Sequence, residues 1–263
     1  MTFSDSDIDI VSRFWNAPAI ARNEGLKAVD MFDAIELGQI KALWVMGTNP
    51  AVSLPRADHV RSALGKLELF VMAENVRSND SIAAGAHWLL PAHAWGEKSG
   101  TVTNSERRIS RQRSFMKAAG EARPDWWMVS EIARRLGFGR AFDYTSAADI
   151  FREHAALSAF ENHGSRDFDI GNYEKISDDD YQLLAPFVWP HSTGSSTSTL
   201  RLFSEGGFFT ADRKARFHTI IPPSLKTSCT DDFPLRLNTG RIRDQWHTMT
   251  RTGLSARLGL HLM

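Results

Sequence analysis

The sequence predicts an α/β fold: an open, mainly parallel sheet with flanking helices, followed by a β-rich segment. Three observations predict it. Short apolar runs rich in strand formers alternate with helix-period patterns over roughly the first ninety residues. The connections between them are short, which favours parallel strands joined by right-handed crossovers. The texture changes after the Gly/Ser/Thr-rich stretch His191–Ser198, which marks a boundary between residues 1–190 and 191–263.

Gly25 to Gly38 reads as a helix, with Leu26, Val29, Met31, Phe32 and Ile35 on a wide apolar face and Gly38 as its C-cap. Ile40–Met46 is the first strand, stopped by Gly47-Thr48-Asn49-Pro50. Pro55–Leu64 is the next helix and Leu67–Ala73 the second strand. Ser81–Ala86 is a short helix, and His87–Leu90 a buried third strand that ends at Pro91. Asp125–Leu136 is a helix capped by Asp125 and ended by Gly137, and Ala147–Ala159 another. Strands are expected again within Leu200–Phe217 and at Phe233–Asn238.

In an open parallel sheet, ligands bind beyond the carboxyl ends of the strands. Gly47–Pro50, Glu74-Asn75 and the loop Pro91–Arg113 follow the three strands and should open onto one edge. The third is read as a polar loop carrying Arg107, Arg108, Arg111 and Arg113; Glu97–Lys117 has a local charge of +4. Arg241–Arg257 is also basic, at +3, in a chain whose net charge is zero. Two basic segments in a neutral chain suggest a local anion site, since arginine presents a planar fork of donors to phosphate or carboxylate. A solvated basic loop is the competing reading. The loop Thr239–Thr248 crowds Arg, Asp, Gln, Trp, His and Thr side chains behind an apolar strand, as expected of a loop that grips a polar ligand.

Several classes are disfavoured. There is no G-x-G-x-x-G, GxxxxGK[ST], G-x-S-x-G or H-E-x-x-H pattern. Cys229 is the sole cysteine, so this chain supplies neither a cysteine-held cluster nor an intrachain disulfide. The neutral balance points away from nucleic acid and from membrane surfaces. With no signal-peptide pattern and no apolar run near the ~18 residues of a bilayer span, the expected location is cytoplasmic.

Four stretches, WVMGTNPAVSLP (44–55), WGEKSGTVTNSERRISRQR (95–113), GEARPDWW (120–127) and NTGRIRDQWHTMTRTG (238–253), closely resemble the catalytic subunit of bacterial molybdenum nitrate reductases, the assimilatory type nearest. These are molybdopterin oxidoreductases with a bis(molybdopterin guanine dinucleotide) cofactor. The resemblance implies that Asn49, Ala73, Glu74, Lys98 and Asp125 touch the dinucleotide, with Arg107 and Arg108 as supports of the loop. Ala73 departs from the usual serine. It also implies that Thr239, Gly240, Arg241, Arg243, Gln245, Trp246, His247 and Thr248 wrap a pterin and its phosphates, at the start of a C-terminal β-barrel domain that is truncated here. The full-length family carries a [4Fe-4S] cluster and a cysteine ligand to molybdenum, for which this chain has no matching motif. The chain is therefore expected to be an internal fragment, inactive alone, of an enzyme that reduces nitrate to nitrite by oxygen transfer to molybdenum, with electrons from a donor protein or reductase subunit. A formate dehydrogenase or another molybdopterin oxidoreductase is an alternative, as is a non-catalytic remnant or binding module.

Overall fold

A computed structural model describes residues 3–204, 206–224, 228–238, 240, 245–246 and 248–258. The chain divides into two compact units, Met1–Phe209 and Thr210–Met263. All regular strands and α-helices among the described residues lie in the first.

Three parallel strands form one sheet in the order β1 (Ala42–Met46), β2 (Leu69–Glu74), β3 (Trp88–Pro91). The register pairs Met46 with Ala73 and Glu74 with Pro91, so the three carboxyl ends share one edge. Helices α2 (Ala28–Glu36), α3 (Pro50–Ser53), α4 (Ala57–Gly65) and α5 (Asp80–Ala83) flank it. The core beneath is made of Phe32, Ile35, Val60, Leu64, Phe70 and Met72, all nearly or fully buried. These residues explain the local choices: α2 and α4 turn an apolar stripe inward at helical spacing, and Phe70 and Met72 alternate along β2.

A second layer of structure was not expected. The arginine-rich stretch is an antiparallel hairpin, β4 (Gly100–Thr103) and β5 (Arg108–Gln112), extended by β6 (Phe187–Val188). Ile109 and Arg111 alternate inward along β5, and Asn104 closes the turn by accepting the Glu106 and Arg108 N–H groups. Against β5 pack Phe151 and Ala155 of α7 (Ala147–Ala159) and Tyr181 of α8 (Asp178–Leu183). An initial helix, α1 (Asp5–Trp15), was also unforeseen; Ser4 caps it by accepting the Asp7 N–H.

Other expectations need correction. β3 is an edge strand with Trp88 65% exposed, not a buried one. Helix α6 (Asp125–Ala133) stops before Leu136, passing into an irregular turn where Gly137 takes a φ of +93°. Its N-cap is Pro124, so Asp125 sits inside the first turn and does not cap it. No strand forms among the described residues of 200–217 or 233–238. Phe217, Leu235 and Leu237 there stand almost fully exposed, and an extended segment without a ladder partner has nothing to make it a strand.

Candidate functional site

The carboxyl edge of the parallel sheet gathers five of the sequence-selected residues. β1 leaves the sheet through Gly47, whose N–H donates to the Ala73 carbonyl at 2.9 Å. Gly47 has a φ of +63°, a conformation glycine adopts without strain, and it turns the chain towards α3. Asn49 follows as the N-cap position of α3 and is 4% exposed. Its Oδ1 accepts from the Ser81 N–H at 3.1 Å and from the Ser81 hydroxyl at 2.6 Å.

At the end of β2, Ala73 is fully buried and packs with Ala92 and Met128; Glu74 is 2% exposed. Glu74 Oε1 accepts the Asn75 N–H at 2.8 Å. A carboxylate this buried is costly unless its oxygens are engaged. Beyond β3, the Ala92 N–H donates to Glu74 O at 3.1 Å, and the residues on either side of Ala92 bond to the strap that leads into α6: Arg123 N–H donates to Pro91 O and His93 N–H to Arg123 O, both at 3.0 Å. That strap brings Asp125 to Lys98, whose ammonium donates to Asp125 Oδ2 at 2.6 Å. Glu97 anchors the turn bearing Lys98. Backbone N–H bonds from Ala94 and Ala119 hold its carboxyl below the usual range, against a smaller opposing effect of burial.

The arginines serve the loop itself. Arg107, in the left-handed region at φ +67°, donates to the carbonyls of Trp189, Thr199 and Leu200 and lies over the Trp189 ring. Arg111 is 8% exposed, donates to Gly100 O and Ser99 Oγ, and sits 4.4 Å from the Tyr181 ring centre. Burial lowers its pKa. Arg113 donates to the Gln182 carbonyl, and Arg108 pairs with Glu106.

In the second unit, Gly240, Gln245, Trp246 and Thr248 are described, whereas Thr239, Arg241, Arg243 and His247 lie outside the described residues. Gln245 Nε2 donates to Leu258 O at 2.7 Å, the Trp246 N–H donates to Thr252 Oγ1 at 3.2 Å, and Thr248 and Thr250 share a hydroxyl bond of 3.0 Å. Among the described residues, no group of three or more His, Cys, Asp or Glu side chains forms a metal site, and Cys229 is exposed. No helix of the described residues is long and apolar enough to cross a membrane.

The edge suits a polar ligand of nucleotide type. A buried carboxylate accepts from a base N–H edge or a sugar hydroxyl, and an ammonium meets a phosphate. Two buried polar atoms near it, Trp44 Nε1 and His93 Nδ1, have no hydrogen-bond partner among the described residues. Sequence reasoning did not single out Ser81, which holds Asn49; a serine in the first turn of a short helix carries no local signal of that task. A separate cavity of about 710 Å³ lies between α1 and α7, walled mainly by apolar side chains such as Ile10, Trp15, Leu157 and Phe168. None of the residues selected from the sequence lines it.

Residues 12–135 match the family model described as molybdopterin oxidoreductase. Over 262 residues the chain is 46% identical to a nitrate reductase of Klebsiella oxytoca, covering 100% of this chain and 30% of that one. It is 37% identical to the assimilatory nitrate reductase catalytic subunit of Bacillus subtilis, over 89% of this chain and 32% of the relative. Among solved structures, acetylene hydratase from Pelobacter acetylenicus superimposes with a TM-score of 0.52 at 17% identity, over 71% of this chain and 23% of the other, a likeness of fold alone. The chain thus spans about 30% of the length of the curated relatives it matches. Residues 12–135 are thus a molybdopterin oxidoreductase domain by this match, and Asn49, Ala73, Glu74, Lys98 and Asp125 lie inside the matched span.

Proposed function

We propose that the chain is part of the catalytic subunit of a molybdenum nitrate reductase, and that its sheet edge holds the guanine dinucleotide end of the molybdopterin cofactor. The observation that supports this most is the convergence of Asn49, Glu74 and the Lys98–Asp125 pair at the carboxyl ends of three parallel strands. Each has a separable task. Glu74 accepts from the guanine N–H edge or a ribose hydroxyl, and its burial restricts it to a ligand that reaches into the sheet edge. Lys98, steered by Asp125, supplies charge to a phosphate. Asn49 supplies an oriented amide. Ala73, with only a methyl group, supplies close packing and no hydrogen bond.

When bound, the molybdenum centre supplies the electron-transfer chemistry that reduces nitrate to nitrite; this chain's residues bind and orient the organic part of the group. The loop 239–248 wraps the pterin and its phosphates, at the start of a β-barrel domain that begins after a connector near residue 191. The [4Fe-4S] cluster, the ligand to molybdenum and the contact with the electron donor belong to other parts of a complete, cytoplasmic enzyme. The test has two arms on the purified chain. Saturable binding of GMP that weakens in Lys98→Ala and Asp125→Ala supports the reading. Viologen-linked nitrate reduction by the chain itself, with bound molybdenum, contradicts the assignment of the catalytic ligands elsewhere.

A further inference from the structure

Asn49, Glu74, Lys98 and Asp125 do not by themselves attract a phosphate. Lys98 and Asp125 cancel in formal charge, and Glu74 adds a carboxylate. A phosphate is drawn by net positive charge as well as by donors. The arginines of the hairpin β4–β5 are engaged elsewhere: Arg107, Arg111 and Arg113 donate to carbonyls of the chain, and Arg108 pairs with Glu106. Outside the hairpin, two exposed arginines near the strand ends form no ion pair among the described residues. They are Arg77, in the loop after β2, and Arg123, in the strap before α6.

Of the two, Arg123 is the one that the fold holds in place. Its N–H donates to Pro91 O and its carbonyl accepts from the His93 N–H, both at 3.0 Å, so it stands opposite Ala92 at the carboxyl end of β3. The Ala92 N–H donates to Glu74 O at 3.1 Å, which sets Glu74, Ala92 and Arg123 side by side across the edge. The guanidinium lies over the Trp127 ring, 5.6 Å from its centre. Nη1 donates to the Ala122 carbonyl at 3.1 Å, while Nε and Nη2 make no hydrogen bond among the described residues. Stacking on an indole fixes the plane of the fork and leaves its edge open, so little side-chain freedom is lost when it closes on an oxyanion. Arg77 has no such support: no hydrogen bond or ring contact holds its side chain among the described residues.

We infer that Arg123 grips a phosphate at the sheet edge, with Trp127 as the residue that positions its guanidinium. The inference rests on the nucleotide reading of that edge and names a contact the reading leaves out. It divides the work between two cations: Lys98 gives a donor steered by Asp125, and Arg123 gives the uncancelled charge. It also gives a use to an indole left 37% exposed in the first turn of α6.

The test is calorimetric titration of the 263-residue chain at low salt with GMP and with guanosine, which has the same base and sugar and no phosphate. The unmodified chain is expected to prefer GMP. Arg123→Gln is expected to weaken GMP roughly 5–20-fold and leave guanosine within about twofold, the loss of one charge-assisted bond to an exposed group. Arg123→Lys, which keeps the charge and loses the fork, is expected to fall between. Arg77→Gln removes the same charge from the loop after β2 and is expected to weaken GMP by less than about threefold, through the screened field alone. Equal losses in Arg123→Gln and Arg77→Gln overturn the inference, because the edge would then act only through its general field. Equal losses of GMP and guanosine in Arg123→Gln overturn it as well, because the substitution would have disturbed the edge and not a phosphate contact. GMP affinity within twofold of the original marks Arg123 as a surface arginine only. If the unmodified chain binds neither GMP nor guanosine, the nucleotide reading itself fails and the inference falls with it. Should Arg123→Gln not fold, the Arg123 Nε–H resonance of the ¹⁵N-labelled unmodified chain decides: a shift with GMP and none with guanosine supports the contact, and no shift with GMP overturns it.

Discussion

Replacing Lys98 by alanine should separate binding from stability. Lys98 Nζ lies 2.6 Å from Asp125 Oδ2, yet the two side chains are 38% and 37% exposed. An ion pair so open to water contributes about 0–1 kcal/mol to folding, because solvent screens it and two long side chains must be held in place. Asp125 keeps its place in the first turn of α6, so its favourable interaction with the helix dipole survives the substitution. The fold should therefore lose at most about 1 kcal/mol, a fall of roughly 2–4 °C in melting temperature for a chain of this size. If the ammonium instead serves a phosphate, its removal forfeits a charge-assisted hydrogen bond worth about 1.5–3 kcal/mol. That is roughly a 10–150-fold loss of affinity. Calorimetric titration with GMP at low salt, beside thermal melts of the same samples, reads both quantities. Asp125→Ala should show a smaller loss of affinity, because it frees the ammonium without removing it. A Lys98→Ala chain that binds GMP within twofold of the original, or that melts more than 10 °C lower, would refute the reasoning.

Other substitutions probe the remaining parts. Arg107→Ala should destabilise the chain by about 1.5–3 kcal/mol in urea denaturation, since it removes the donor to three carbonyls, but leave GMP affinity unchanged. Phe70→Ala in the fully buried heart of the sheet should cost about 3–5 kcal/mol by the same assay. At the start of α7, burial pushes the Asp149 carboxyl up, but bonds from Thr145, Arg152 and Ser146 outweigh it and hold the group below its ordinary range. A carboxyl lowered on folding adds stability that is present above the unfolded value of about 3.9 and lost as pH falls below it. The stability gap between the original chain and Asp149→Asn, by urea denaturation, should be full at pH 6 and narrow steadily from pH 4 to pH 2. Gly171→Ala should be strongly destabilising, because an added methyl would meet Ala159 Cβ and Thr193 Oγ1 at 2.5 Å.

Much of the first sheet was legible because its strands are short, apolar and punctuated. Ile40–Met46, Leu67–Ala73 and His87–Leu90 each sit within two residues of an observed strand, and Gly47, Asn75 and Pro91 mark where they stop. The shared edge followed from the alternation with helices alone. The hairpin β4–β5 was hidden because its buried face carries an arginine: Arg111 interrupts the apolar alternation that begins at Ile109, and the acceptors Gly100 O, Ser99 Oγ and the distant Gln182 Oε1, with the Tyr181 ring, make that position tolerable. Its third strand comes from Phe187-Val188, some eighty residues on, a pairing that no local pattern reveals. Helix α1 did carry a signal, Ser4 before Asp5 and Asp7 with Ile8, Val11 and Trp15 at helical spacing, which the acidic run obscured. At the site, the residue types of Asn49, Glu74, Lys98 and Asp125 were readable, but their partners were not. The bond from Lys98 to Asp125 spans 27 residues, and that from Ser81 to Asn49 spans 32.

The central claim, that the sheet edge binds the nucleotide end of the cofactor, is tested most directly by calorimetric titration of GMP into the chain and into its Asn49→Ala and Glu74→Ala variants. Saturable binding that weakens about tenfold in each variant, one hydrogen bond's worth of affinity, is the predicted result. Absence of saturable binding, or equal affinity in all three proteins, would contradict it.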